Sequence, residues 1–519
     1  MVQSSGEAVE GRLARAASHL SSGQAGAALA ECRAALAEAP DDPRVLRLAG
    51  IAAHRARRLD EAEALFRRRL ALDESSGEAR SDLSNLLLAR ERPEEVIDLL
   101  GGRAGLDEAA SFNLGRAYKQ VGRTGEAIAP FERVLAVHPG HRGALIALGD
   151  ACKAVGRIDD AGAHYRRAIE ARPDDAVAWW ALSNLKARGF DDAEFDRLRS
   201  LAGAAPPGPA QAYFEFALAR GYEDRGAYDE AFAHYAAGNR ARRGEQPWDR
   251  RKFSSWLAAV GEAFEGVPVP ARPSPLGRPR PVFIVSLPRA GSTLTEQVLA
   301  AHPEVTAASE LPWVPRLIAA ESRRRGKAFA AWAPEATADD WRRLGGEYLE
   351  RTAWWQRGTR VFTDKLPGNF AYLGAILAML PDALVVNVRR APMDVCLSCY
   401  RQLFIRGQEF SYDLEDLGHY WRDYDAHTRR WRDRAPDRIH DLVYERLVED
   451  PEGQVRSLLE FLDLPWDERC LRFHEADRAV NTASAAQVRR GINRRGLGYS
   501  EKWAKHLEPL RAALGDAAD

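Results

Sequence analysis

Two stretches of this chain align at a spacing of 34 residues: SFNLGRAYKQVGRTGEAIAPFERVLAVHP from Ser111, and LIALGDACKAVGRIDDAGAHYRRAIEARP from Leu145. Leu114, Gly115, Gly122, Ala127, Phe131 and Pro139 of the first recur as Leu148, Gly149, Gly156, Ala161, Tyr165 and Pro173 of the second. Weaker copies carry Gly23, Ala28, Ala35 and Pro40, then Gly50, Ala62 and Phe66, and 77–102 reads as a decayed copy. Trp179 and Leu182 open a sixth, and Leu218, Tyr222, Gly226, Ala231 and Tyr235 mark a last one. The pattern predicts a pair of antiparallel helices per repeat. Gly115 and Ala127 let the two backbones approach, while Tyr118 and Phe131 fill the space between neighbouring pairs. Gly122 sits near the turn and Pro139 ends the second helix. One pair cannot bury its own apolar face, so the pairs must stack into a solenoid.

This period and these positions resemble the tetratricopeptide repeat family over about residues 8–240. The resemblance implies an all-α superhelix whose concave groove binds a peptide or protein. A spacer, or an arm that makes a homodimer, is the alternative. AGAAPPGPA at 202–210 interrupts the solenoid, and GVPVPARPSPLGRPRP at 266–281 holds six prolines in sixteen residues. Proline at that density reads as an extended linker. The expected division is therefore a helical repeat domain at 8–265, a Pro-rich linker at 266–281 and a second domain at 282–519.

After the linker the pattern becomes α/β. Short apolar runs at 282–286, 305–308, 361–363, 384–388 and 439–443 read as strands separated by helical segments, which predicts a mostly parallel sheet. The first strand runs into LPRAG and then STLTEQVLAA. A strand, a glycine-containing turn and a helix start make an anion site, because the first helical N–H groups are free and the dipole is positive there. Gly291 lets the backbone approach the anion, Ser292 and Thr293 add hydroxyls, and Arg289 adds a charged fork. An ordinary strand–helix turn capped by Ser or Thr is the bland reading. Against the nucleotide loop G-x-x-x-x-G-K-[ST], Ser286 stands for the first Gly and Ser292 for the Lys, which counts against an ATPase or kinase.

Arg289-Ala290-Gly291-Ser292-Thr293 instead resembles the 5′-phosphosulfate loop of sulfotransferases, above all the protein-tyrosine sulfotransferases, which hold 3′-phosphoadenosine 5′-phosphosulfate (PAPS). A second strand, LVVNV, runs into Arg389-Arg390-Ala391-Pro392-Met393-Asp394 with Ser398 following. Arg390 and Ser398 have the spacing of the family's 3′-phosphate motif, with Arg389 as an alternative contact. The resemblance continues over most of 280–510. Glu310 falls where the family carries its catalytic base, and Lys365 matches the active-site Lys. Tyr444 and Glu445 match a segment near the cofactor, and Ser484 and Lys502 match the late Ser and Lys that close over the nucleotide. Arg401 is the nearest counterpart, out of register by one, of a family Arg after the 3′-phosphate Ser. These residues imply a P-loop-like sulfotransferase domain. Glu310 would be the base for a hydroxyl acceptor, and Arg289, Lys365 and Ser484 would stabilise the leaving phosphate. The cofactor contacts would be Arg289 to Thr293, Arg390, Ser398, Tyr444, Ser484 and Lys502. The family and the repeats together favour protein tyrosine as acceptor, with a glycan or small molecule, a catalytically silent scaffold or a nucleotide kinase as rivals.

Lys and Arg total 74 and Asp and Glu 75, a formal net charge of −1, which argues against a nucleic-acid binder built on a global positive field. Only eight of the 74 are lysines, and two of those are Lys365 and Lys502. Five scattered cysteines suit a reducing compartment, so a cytoplasmic location is expected. The first twenty residues lack an apolar h-region, and no apolar run approaches the roughly 20 residues of a membrane span. Cys396-x-x-Cys399 has no second pair and there is no HExxH, so no metal is expected and the two cysteines read as core.

Overall fold

The computed structural model describes residues 2–518 apart from 186–188, 207, 273–278, 357, 406, 476–479, 481–487 and 490. The chain forms two compact units that divide between Pro173 and Asp174.

The first unit is a run of helical hairpins. Among them are Pro43–Arg55 with Leu59–Leu72, Gly77–Ala89 with Pro93–Leu100, Glu108–Gln120 with Ile128–Val137, and Arg142–Ala154 with Ile158–Ala171. First helices are capped by side chains that accept a backbone N–H, from Asp42, Ser76, Asp107 and His141. Gly122 and Gly156 turn the chain at φ 79° and 86°. A Cβ on Gly50, Gly115 or Gly149 would come within 2.4, 2.5 and 2.5 Å of the rings of Phe66, Phe131 and Tyr165. Each aromatic thus fills the notch left by the glycine sixteen residues earlier in its own hairpin. Phe131 therefore packs within its pair, and the expectation that it fills the gap between neighbouring pairs is corrected.

The second unit opens with further hairpins, including α1 (Pro209–Asp224) and α2 (Tyr228–Glu245), and a helix at Arg250–Ala263. Then comes a five-stranded sheet: β1 (Arg280–Ser286), β2 (Val305–Ala307), β3 (Val361–Asp364), β4 (Leu384–Arg389) and β5 (Ile439–Val443). The strand order is β2-β3-β1-β4-β5, and every pairing is parallel. All seven residues of the central β1 are buried, as an apolar run covered on both faces must be. Helix α3 (Ser292–Ala300) follows β1, α4 (Pro392–Tyr400) follows β4, and α5 (Leu414–Arg434) leads towards β5.

One apolar core runs from Phe216 and Tyr235 through Leu257, Val260 and Phe264 into Val282–Val285 and on to Leu514. Polar ties reinforce it: Asn239 Nδ2 donates to Tyr400 O at 2.9 Å, and Ser254 Oγ to Asp423 at 2.5 Å. The division by packing therefore differs from the division by composition. The prolines of 266–281 mark where the repeat pattern has ended, but the helices from 209 to 263 share a core with the sheet. No helix among the described residues is long and apolar enough to cross a membrane.

Candidate anion-binding active site

Strand order reverses at β1. The chain leaves it for β2 on one side, while β4 pairs on the other, and such a point opens a crevice beyond the carboxyl ends of the strands. From Ser286 the chain curls through Leu287–Gly291 and enters α3 at Ser292. Arg289 and Gly291 take positive φ, 69° and 110°. A Cβ on Gly291 would lie 2.8 Å from the Tyr444 ring, so the close approach needs glycine twice over. Ala290 is buried and donates its N–H to Leu287 O at 3.3 Å, which tightens the curl. Ser292 and Thr293 present their hydroxyls at the helix start, and Ser286 Oγ is buried with no hydrogen-bond partner among the described residues.

Arg289 Nε lies 3.3 Å from Ser398 Oγ on α4. Burial pushes its guanidinium down to about 10, and the nearby Arg390 and Arg401 act in the same direction, so it stays cationic at neutral pH. Arg390 Nη1 donates to Arg289 O at 3.1 Å and Nη2 to Gly496 O at 2.6 Å, while the guanidinium lies 4.9 Å from the centre of the Tyr444 ring. Its Nε is buried with no partner among the described residues. Arg389 faces the other way and pairs with Asp425 of α5, as alternation along a strand requires. Asp394 accepts the N–H groups of Gly498 at 2.9 Å and Ser500 at 2.8 Å, and Glu445 that of Ala391 at 3.0 Å, which ties the segment after β4 to residues 498–500 and to the short helix Tyr444–Glu449 that follows β5.

Together these groups wall a cavity of about 380 Å³. Arg289, Gly291, Ser292, Thr293, Arg390, Ser398 and Tyr444 all line it. So do Arg220, Glu223 and Tyr235 of α1 and α2, with Arg401. Among the described residues, four guanidiniums face two carboxylates, Glu223 and Asp394, an excess of two positive charges. Such a cavity fits a compact polyanion.

Lys365 follows β3, which pairs with β1 in parallel, so it stands on the same edge of the sheet as the Arg289 loop. Its N–H donates to Ser309 O at 2.9 Å and its ammonium pairs with Glu310. The lysine is 1% exposed and the Glu310 side chain 48%. This pair does not line the cavity. Neither does Lys502, which is exposed with its ammonium 5.1 Å from the Tyr499 ring and 6.0 Å from that of Tyr228. Ser484 lies outside the described residues.

Residues 281–468 match the model of the sulfotransferase family, and 13–79 and 112–176 match that of the tetratricopeptide repeat. The chain carries a sulfotransferase domain. An uncharacterized protein of Aquifex aeolicus (strain VF5) is 37% identical over 322 residues, 60% of this chain and 42% of that one. A protein-tyrosine sulfotransferase of Drosophila melanogaster is 25% identical over 237 residues, 44% of this chain and 47% of that one. The chain thus spans under half the length of these two relatives. Among solved structures, a sulfotransferase domain from the curacin biosynthetic pathway aligns with a TM-score of 0.30 at 21% identity, covering 42% of this chain and 84% of that one.

The walls of the cavity include side chains that motif reading did not single out: Trp180, Arg220, Glu223 and Tyr499. No local spacing marks them. Arg401 had a faint signal, three residues beyond Ser398 at the end of α4. Cys396 and Cys399 are free and buried, and burial pushes the Cys399 thiol up to about 12, so both act as apolar packing of α4. Among the described residues no group of three or more His, Cys, Asp or Glu could hold a metal ion.

Proposed function

We propose that this chain is a PAPS-dependent sulfotransferase that moves a sulfuryl group to a hydroxyl, with protein tyrosine as the acceptor and the repeats as the surface that holds a protein or acceptor. The observation that carries the reading is the convergence of Arg289, Gly291, Ser292, Thr293, Arg390 and Ser398 on one cavity with excess positive charge. The residues suit the nucleotide. The buried Ser286 Oγ and Arg390 Nε have no partner among the described residues, and Gly291 puts no side chain between the loop backbone and the Tyr444 ring.

In this reading Arg289 and residues 290–293 hold the 5′-phosphosulfate, Arg390 and Ser398 the 3′-phosphate, and Tyr444 lies against the nucleotide. The acceptor oxygen attacks sulfur as the bond from sulfur to the bridging phosphate oxygen breaks, and Glu310 takes the acceptor's proton. Charge then grows on the bridging oxygen, where Arg289, Lys365 and Ser484 act. Loss of one such donor costs about 10²–10³ in rate. The ion pair with Lys365 would hold the Glu310 carboxylate ready at the strand ends, with the proton going to its free oxygen. A glycan or small-molecule acceptor is the second reading, since 316–359 presents no motif for either choice.

The test incubates the protein with labelled PAPS and a panel of tyrosine peptides, glycans and phenols. Label is expected on tyrosine peptides. Transfer only to another acceptor selects the second reading, binding without any transfer selects a silent scaffold, and preference for ATP sinks the proposal. Glu310→Ala should abolish transfer and leave nucleotide affinity intact, whereas Arg390→Ala should weaken affinity.

A further inference from the structure

Helices α1 and α2 precede the residues that match the sulfotransferase family, 281–468, yet they wall the same cavity. The link is Glu223, near the end of α1 and 8% exposed. Arg401 closes a two-point fork on it: Nε lies 3.0 Å from Oε2, and Nη2 pairs with Oε1. Tyr235 OH donates to Oε2 at 2.8 Å, and Arg220 Nη1 and Tyr499 OH to Oε1 at 3.0 Å each. The carboxylate is thus fully engaged. Burial alone would push it up, but Arg401 and Arg220 outweigh burial and hold it below the usual carboxylate range. The Arg401 guanidinium lies between rings, 4.5 Å from the centre of Tyr499 and 5.3 Å from that of Trp503, and its Nη1 has no hydrogen bond to a described residue.

A buried ion pair adds little net stability, because removing both charges from water cancels most of their attraction. What this pair does supply is direction. Arg401 sits three residues beyond Ser398 and shares the cavity with Arg289 and Arg390. An arginine left unpaired there has several rotamers open to it and is repelled by two neighbouring guanidiniums. Clamped by Glu223, it has one orientation before any ligand arrives, and a pre-oriented cation loses less entropy on binding.

We infer that Glu223 is a positioning residue of this site. It holds Arg401 as a fixed cation facing the anionic ligand, which makes α1 and α2 part of the nucleotide-binding site rather than of a separate repeat array. The inference rests on the PAPS reading above.

The test uses the full chain and measures the Kd of 3′-phosphoadenosine 5′-phosphate by calorimetry, together with kcat and KM for PAPS. Glu223→Gln should raise Kd and KM by about tenfold to a hundredfold, the worth of a charge-assisted hydrogen bond, and leave kcat within a few-fold. The double variant Glu223→Gln/Arg401→Gln should bind no more weakly than Arg401→Gln alone, since both changes act through one side chain. Arg401→Lys keeps the charge but cannot fork onto both oxygens. It should weaken binding alike, and it carries the test if Glu223→Gln fails to fold. Unchanged Kd in either single variant, or fully additive losses in the double, overturns the inference alone. No binding by the wild type overturns the PAPS reading and this inference with it.

Discussion

Asp364 ends β3 with its side chain fully buried beside Tyr348, whose hydroxyl donates to Oδ2 at 2.9 Å. Burial pushes its carboxyl up to about 8, against the Tyr348 hydroxyl and the Leu311 amide, which favour the charged form. An unfolded Asp titrates near 3.9, so between about 4 and about 8 the native state keeps a proton that the unfolded state has lost. Its contribution to stability therefore falls as pH rises through that window and levels off above it. Asp364→Asn should flatten this dependence, so that urea unfolding at pH 5 and pH 8 differs less in the variant than in the wild type. An identical pH dependence would remove Asp364 from the account. Single residues also show where sequence reading stops. The doublet Arg389-Arg390 cannot be ordered from the string alone. The strand orders it, sending Arg389 to Asp425 and Arg390 to the cavity. Lys502 matches a motif, but its place beside Tyr228 depends on an element far upstream.

Elements were the most legible scale, because each obeys a local rule. The apolar runs that predict strands correspond to β1–β5 with ends shifted by two residues at most, most plainly in β1, where a parallel strand buried along its whole length carries a continuous apolar run. The hairpins follow from glycine and aromatic residues sixteen apart. That spacing also makes a quantitative claim. Gly149→Ala would set a Cβ 2.5 Å from the Tyr165 ring, an overpacking that should cost about 1–3 kcal/mol in urea unfolding of the first unit. Gly125→Ala, whose Cβ would meet only Val155 at 3.8 Å, should cost nothing of that size. Equal effects from the two substitutions would mean that the notch adds no cost of its own, since helix propensity favours alanine at both positions. The fork between Glu223 and Arg401 joins elements 178 residues apart, and no periodicity or motif length reaches that far.

At the scale of the whole molecule, the described apolar clusters of the first unit and the large core of the second share no residue. One of them runs from Ala16 to Ala117 and the large core from Phe216 to Leu514. Removing residues 1–173 should leave a cooperatively melting protein that still binds nucleotide. Removing 1–265 should not, because Phe216, Tyr235, Leu257, Val260 and Phe264 leave the core with it. Thermal melts of the two truncations by circular dichroism decide the matter, and a stable, nucleotide-binding 266–519 fragment would restore the boundary that the prolines mark. Composition locates that proline segment but not the seam at Pro173, because one repeat pattern runs on both sides of it. The seam has a consequence for how such genes can be recombined. A joint cut after Pro173 exchanges whole arrays of repeats as cassettes and keeps the Arg401 clamp intact, whereas a cut in the proline segment splits Glu223 from Arg401. Functional chimeras should therefore cluster at the first junction.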